Sequence, residues 1–87
     1  MSLSHVLLTS LLERPSSGFE LARRFDKSMG FFWNATHQQI YRELAAMQKK
    51  GWISPLENEK DAGRKKTYQV EPRGRVELAE WMVKQSP

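Results

Sequence analysis

Apolar residues recur at helical spacing near the start of the chain. The stripe consists of aliphatic side chains: Leu3, Val6, Leu7, Leu8, Leu11 and Leu12. A stripe this wide predicts a helix over Leu3 to Arg14 that packs on more than one side. Pro15 then ends the helix, because proline disfavours helical backbone in the residue before it.

A second and a third helix each begin with a capping box. Ser17 is followed three residues later by Glu20, and Thr36 by Gln39. In this motif each side chain satisfies the backbone amide of the other residue. The second helix is expected to run for about twelve residues, with an inward stripe and a closing glycine: Leu21, Ala22, Phe25, Met29 and Gly30. The third has its own inward stripe and stop: Ile40, Leu44, Met47 and Gly51.

The last third of the chain predicts a hairpin and a fourth helix. Residues 52–54 and 67–70 form two short segments with aromatic and β-branched side chains. The segment between them, residues 55–66, is polar and contains a turn at 61–63. Pro72 suits the first turn of a helix whose apolar residues are expected to face the core: Leu78, Trp81 and Met82. The fold class is therefore mainly α with a small β-hairpin, in the order helix, helix, helix, hairpin, helix.

Length and composition limit the alternatives. Eighty-seven residues, 39% of them hydrophobic, suit one globular domain over residues 1–87. Cysteine is absent, which removes disulfides and thiolate metal sites and favours a cytoplasmic protein. No apolar stretch approaches membrane-spanning length. The net charge of +4 is compatible with a polyanionic partner but does not by itself establish one.

Three helices followed by a basic hairpin predict a winged helix-turn-helix, a scaffold that places its third helix in the major groove of DNA. Steps of about 100° per residue put Gln38, Arg42, Ala45 and Lys49 opposite the inward stripe, with Tyr41 at the border. Gln38 and Arg42 are the candidate base readers, since Gln pairs with adenine and Arg with guanine. Tyr41 and Lys49 are candidate phosphate contacts. A solvated face of an ordinary helical bundle is the alternative.

Two further residues at the start of the third helix have open roles. Gln39 either completes the capping box or contacts a base. His37 stands where the helix dipole disfavours a charged imidazole, so it is either a neutral donor to DNA or an ordinary surface residue.

The predicted tip of the hairpin contains three consecutive cations. Arg64, Lys65 and Lys66 follow Gly63 and suit a wing that lies along the phosphate backbone. Three preceding acids partly cancel their field: Glu57, Glu59 and Asp61. An ordinary loop of mixed charge is therefore the alternative at this position.

The ordered set of motifs resembles the PadR-like family of bacterial regulators. The matching residues span nearly the whole chain: Pro15, Gly18-Phe19-Glu20-Leu21, Trp33, Thr36, Ile40-Tyr41-Arg42-Glu43-Leu44, Lys50-Gly51-Trp52-Ile53, Gly63-Arg64-Lys65-Lys66-Thr67-Tyr68, Gly74-Arg75, Leu78 and Trp81. The resemblance implies a transcriptional regulator, often a repressor, that binds a palindromic operator as a homodimer. It also implies a C-terminal helical domain for dimerisation, beyond the residues of this chain.

Two other functions share the same fold. A winged helix that binds protein would show exposed apolar anchors on its third helix. A small-molecule sensor could use an aromatic pocket of Phe31, Phe32, Trp33 and Trp52, although such clusters are more often core. Enzyme activity is not expected, since no catalytic triad, phosphate loop or metal-ligand spacing is present. No cofactor is expected either.

Overall fold

The computed structural model of the protein describes residues 2–26, 35–56 and 66–85. Its helices and strands are, in chain order, α1 Leu3–Glu13, β1 Ser16–Ser17, α2 Gly18–Arg24, α3 His37–Lys49, β2 Ile53–Pro55, β3 Thr67–Val70 and α4 Pro72–Gln85. The predicted order and the mainly helical class are confirmed. The short strand β1 was not expected from the sequence.

Both predicted capping boxes are present. The amide of Glu20 donates to the Ser17 hydroxyl over 3.0 Å, and the Glu20 carboxylate accepts from the Ser17 amide at 2.8 Å. The Gln39 amide donates to the Thr36 hydroxyl at 3.1 Å, and the Gln39 side-chain oxygen accepts from the Thr36 amide at 2.8 Å. These bonds satisfy helix amides that would otherwise lack partners, and they fix where α2 and α3 begin.

The two helices end differently. The regular part of α2 is seven residues long and passes into a wider turn at Phe25 and Asp26, so it is shorter than predicted within the described residues. Met29 and Gly30 lie outside them. Gly51 ends α3 as predicted, with a φ of 80° that only glycine adopts readily. Its amide donates to the Gln48 carbonyl at 3.0 Å, which closes the helix.

The sheet is antiparallel, with strand order β1-β3-β2. Ile53 pairs with Val70 and Pro55 with Tyr68, which confirms the hairpin. Tyr68 also pairs with Ser16 of β1, so β3 has a partner on each side. Residues 57–65, which contain most of the predicted tip, lie outside the described residues.

The core lies between α1, α2, α3 and one side of α4. It contains Leu7, Leu8, Leu11, Leu21, Ala22, Phe25, Ile40, Leu44, Met47, Ile53 and Leu78. Two of the expected core positions are wrong: Met82 is 58% exposed and Leu12 is 41% exposed. Leu78 and Trp81 pack inward, and Met82 lies about 100° further round α4 than Trp81, which turns it away from the core. None of the helices in the described ranges is long and apolar enough to cross a membrane.

Helix α4 is fixed to the domain by polar and aromatic contacts as well as by Leu78. The buried His5 ring of α1 stacks on Trp81 at 4.6 Å between ring centres, and its Nε2 lies 2.8 Å from the Glu77 carboxylate. At the start of α4, the Glu71 amide donates to the Trp52 carbonyl at 2.8 Å. The Ser54 hydroxyl donates to the Glu71 carboxylate, which ties α4 to β2.

The approach of α4 to the hairpin predicts that Gly74→Ala destabilises the fold. A Cβ at Gly74 would clash with the backbone oxygen of Trp52. Helix propensity alone would stabilise this variant by up to ~1 kcal/mol. Because the obstacle is backbone, we expect the clash to dominate, with a net loss of about 1–2 kcal/mol in the free energy of unfolding.

Urea unfolding measures this difference. Val76→Ala, at a position that is 58% exposed on the same helix, is the control, and we expect it to change stability by less than about 0.5 kcal/mol. A Gly74→Ala variant as stable as the parent protein would contradict the close approach.

Candidate nucleic-acid interface

The outward face of α3 is polar, exposed and positively charged. Gln38, Arg42, Ala45 and Lys49 are all exposed. The opposite side of the helix is closed by Ile40, Leu44 and Met47, each no more than 1% exposed. The predicted division of α3 into an inward and an outward face is therefore confirmed. The outward face presents an amide, a guanidinium and an ammonium to whatever approaches it.

Tyr41 lies at the border of this face and is half-buried. Its ring packs against the first residue of α2: a Cβ placed at Gly18 would lie 2.6 Å from the ring carbon Cε1. Real Cβ atoms do not approach other atoms so closely, so the contact depends on glycine. Tyr41 thus joins α3 to the start of α2, a role that its spacing in the sequence did not indicate.

The side chain of Gln39 is exposed, and its oxygen is engaged by the Thr36 amide. Of the two roles considered for Gln39, completion of the capping box is therefore confirmed. A base contact by Gln39 stays a prediction, and it would have to use the amide nitrogen or break the capping bond.

His37 forms a hydrogen bond with Asp26 that its position in the sequence did not indicate. Its Nε2 lies 2.8 Å from the Asp26 carboxylate, and the two side chains are 52% and 59% exposed. The pair connects the end of α2 to the first residue of α3. The only signal in the sequence was an acid at the end of one helix and a histidine at the start of the next, eleven positions apart.

The base of the wing is ordered by the sheet. Lys66 precedes β3, and its ammonium lies 6.0 Å from the centre of the Tyr68 ring. Burial raises the pKa of the Tyr68 hydroxyl above its usual value, so the phenol stays protonated at neutral pH. The other two predicted wing cations, Arg64 and Lys65, lie outside the described residues. So do Glu57, Glu59 and Asp61.

Further cations gather at the C-terminal end of α3. Lys50 lies over the Trp52 ring at 4.6 Å, and Arg73 of α4 donates to the Lys50 carbonyl over 3.4 Å. Both cations are exposed, and they stand beside the exposed Lys49. Positive charge here is favourable because the helix dipole is negative at this end. Sequence reasoning included Lys49 alone, because the contribution of Arg73 comes from a distant part of the chain.

Most of the aromatic residues proposed for a small-ligand pocket lie outside the described residues. Of the proposed aromatic pocket, only Trp52 falls among the described residues, and it packs near His5 with ring centres 6.2 Å apart. An open cavity of about 270 Å³ is lined by the charged residues Glu13, Arg14 and Arg24. Within residues 2–26, 35–56 and 66–85, no group of three or more potential ligands could hold a metal ion.

Comparisons with known proteins agree on one family. A model described as the transcriptional regulator PadR-like family matches residues 7–80. The Mycobacterium tuberculosis protein named "Probable transcriptional regulator Rv1176c" is 51% identical over 85 residues, which cover 95% of this chain and 44% of that protein. The negative transcriptional regulator PadR of Bacillus subtilis is 31% identical over 88 residues, which cover 98% of this chain and 47% of that protein. The chain therefore spans slightly under half the length of these relatives.

Solved structures give the same result. The Vibrio cholerae virulence activator AphA matches with a TM-score of 0.82 and 37% identity, covering 99% of this chain and 45% of that one. Bacillus subtilis PadR in complex with operator DNA matches with a TM-score of 0.80 and 31% identity. The match covers 98% of this chain and 49% of the PadR chain.

The capping role of Gln39 predicts a loss of stability in Gln39→Ala of about 0.5–1 kcal/mol, because the Thr36 amide loses its acceptor. Gln38→Ala is a matched control, since the neighbouring residue is also exposed and the change in helix propensity is the same. Urea unfolding of the two variants isolates the capping bond. Equal stability of both would show that the bond contributes nothing.

Proposed function

Because the chain belongs to the PadR-like family of transcriptional regulators, we propose that it binds double-stranded DNA sequence-specifically. In this proposal α3 enters the major groove and the wing follows the phosphate backbone. The observation that carries it is the polar, positively charged outward face of α3, held in place by a fully buried inward stripe. The similarity to Bacillus subtilis PadR, which was solved in complex with operator DNA, supports DNA as the partner.

The proposed roles follow from side-chain chemistry and position. Gln38 and Arg42, in the first half of α3, read base edges. Lys49 and the wing residues Arg64, Lys65 and Lys66 contact phosphates, where an ammonium or guanidinium needs only an oxygen. Tyr41 donates its hydroxyl to a phosphate while its ring stays on Gly18. His37 and Gln39 stand at the edge of the contact.

We further propose that the natural protein acts on a palindromic operator as a homodimer in the cytoplasm, without a cofactor. Two-fold symmetry of the protein would match two half-sites about one helical turn apart. Repression is the proposed outcome, since the Bacillus subtilis relative is named a negative regulator. The Vibrio cholerae neighbour is named an activator, so a promoter-reporter assay decides the sign of regulation.

Fluorescence anisotropy tests DNA binding directly. The protein is titrated against its own upstream DNA and against a random duplex pool at several salt concentrations. We expect tighter binding to the upstream fragment and a log-affinity that falls linearly with log salt, because bound phosphates release counterions. Folded protein that binds neither DNA at low salt would refute the proposal.

Two substitutions separate base reading from phosphate contact. Arg42→Ala should lower the affinity for the preferred sequence by about 1–3 kcal/mol and relax base preference at one position. Lys65→Ala should weaken binding to all sequences alike and reduce the salt slope by about one. If Arg42→Ala instead weakens every sequence equally, Arg42 is a phosphate contact.

A further inference from the structure

Asp26 has no place in the proposed interface, yet it contacts the first residue of the recognition helix. Its Oδ2 lies 2.8 Å from the His37 Nε2, and both side chains are more than half exposed. An acid beside DNA is unfavourable on electrostatic grounds, because phosphates repel it. An exposed polar contact of this kind also contributes little to stability, typically about 1 kcal/mol or less. Neither effect explains what the pair does.

For a neutral His37, the contact with Asp26 fixes which ring nitrogen carries the hydrogen. An ionised carboxylate only accepts hydrogen bonds, so the ring nitrogen facing Asp26 must carry the hydrogen. In the neutral imidazole the other nitrogen, Nδ1, is then an acceptor. The two ring nitrogens point in divergent directions, so Nδ1 is turned away from Asp26. The sequence left two roles open for His37, a neutral donor to DNA or an ordinary surface residue. In the first of these the donated hydrogen is already engaged by Asp26.

An acceptor at this position has a defined set of partners in DNA. The N-terminal residues of a recognition helix reach base edges in the major groove. There the exocyclic amino groups of adenine and cytosine are the donors, while guanine and thymine present acceptors.

We propose that Asp26 is a positioning residue for sequence reading: it orients His37 so that Nδ1 accepts a hydrogen bond from the amino group of an adenine or cytosine. The proposal rests on the proposed function, since it assumes that α3 lies in the major groove. It adds a base contact, and the residue that prepares it, to the readers Gln38 and Arg42.

Selection from a random duplex pool, followed by anisotropy on the selected and a scrambled duplex, tests this. The readout is the ratio of the two affinities, which a general electrostatic effect does not change. In D26A the ring loses its acceptor, and we expect the ratio to fall about fivefold, the cost of about one base contact. The preference for adenine or cytosine at one position should also weaken.

D26N is the conservative rescue. Its side-chain oxygen still accepts from Nε2, so the affinity ratio and the base preference should be retained. Loss of the negative charge alone should tighten binding to both duplexes equally. If D26A and D26N both tighten binding to all sequences and leave the ratio unchanged, Asp26 only repels DNA and the proposal is wrong.

A double-mutant cycle assigns the effect to His37. H37A should lose the same base preference, and D26A should have no further effect on the ratio in the H37A background. An equal effect of D26A in both backgrounds would contradict a role through His37. Thermal melts followed by circular dichroism check that each variant is folded. If D26A is unfolded, the other two variants still test the proposal, since D26N should retain the base preference and H37A should lose it.

The wild-type selection separates this inference from the proposed function. A wild-type protein that selects no sequence contradicts both. A wild-type protein with a clear preference that D26A does not alter contradicts only the role of Asp26.

Discussion

The contact between the inward stripe of α3 and the leucines of α1 is the constraint on which the interface depends. Ile40, Leu44 and Met47 are essentially fully buried, as are Leu7 and Leu8 of the same core cluster. Complete burial of such a side chain stabilises a protein by about 1.5–3 kcal/mol relative to exposure. Rotating α3 about its axis would expose the inward stripe, and the stabilisation from burying several of these side chains would be lost together. The orientation of the outward face is therefore a consequence of the core, and it is established before any ligand binds.

Local interactions at both ends of α3 convert this orientation into a defined position. The Thr36 and Gln39 capping box sets the first turn, and the closing bonds at Gly51 set the last. Only Trp52 separates Gly51 from β2, so the direction of the hairpin is coupled to the end of α3. The pairing of β3 with β1 and β2 then holds the base of the wing on two sides. A helix and a wing that meet DNA together need this fixed relation, because independent motion would cost conformational entropy on binding.

Sequence reasoning succeeded where the signal was local. The periodicity of α3 gave its buried and exposed faces, and the motifs beginning at Ser17 and Thr36 gave the helix starts. It missed β1 because two serines carry no strand pattern, and their pairing with Thr67 and Tyr68 closes over about fifty residues. It misplaced Met82, because an apolar residue beside the inward stripe fits the periodic pattern whether or not a neighbouring element covers it. The contacts of Asp26 with His37 and of Arg73 with Lys50 likewise depend on tertiary approach, which spacing does not encode.

The distribution of exposed apolar side chains bears on the choice between a DNA partner and a protein partner for α3. The large exposed hydrophobic residues in the described ranges are Leu12, Phe19, Val76, Met82 and Val83. They lie on α1, α2 and α4, whereas the outward face of α3 offers only Ala45 as an apolar contact. A protein-binding helix would need buried anchors at the centre of its interface, with charge kept to the rim. On α3 the arrangement is reversed, with Arg42 near the middle of the helix. A guanidinium in that position suits a polyanion whose groove edges accept hydrogen bonds, and it would be costly to desolvate against an apolar surface.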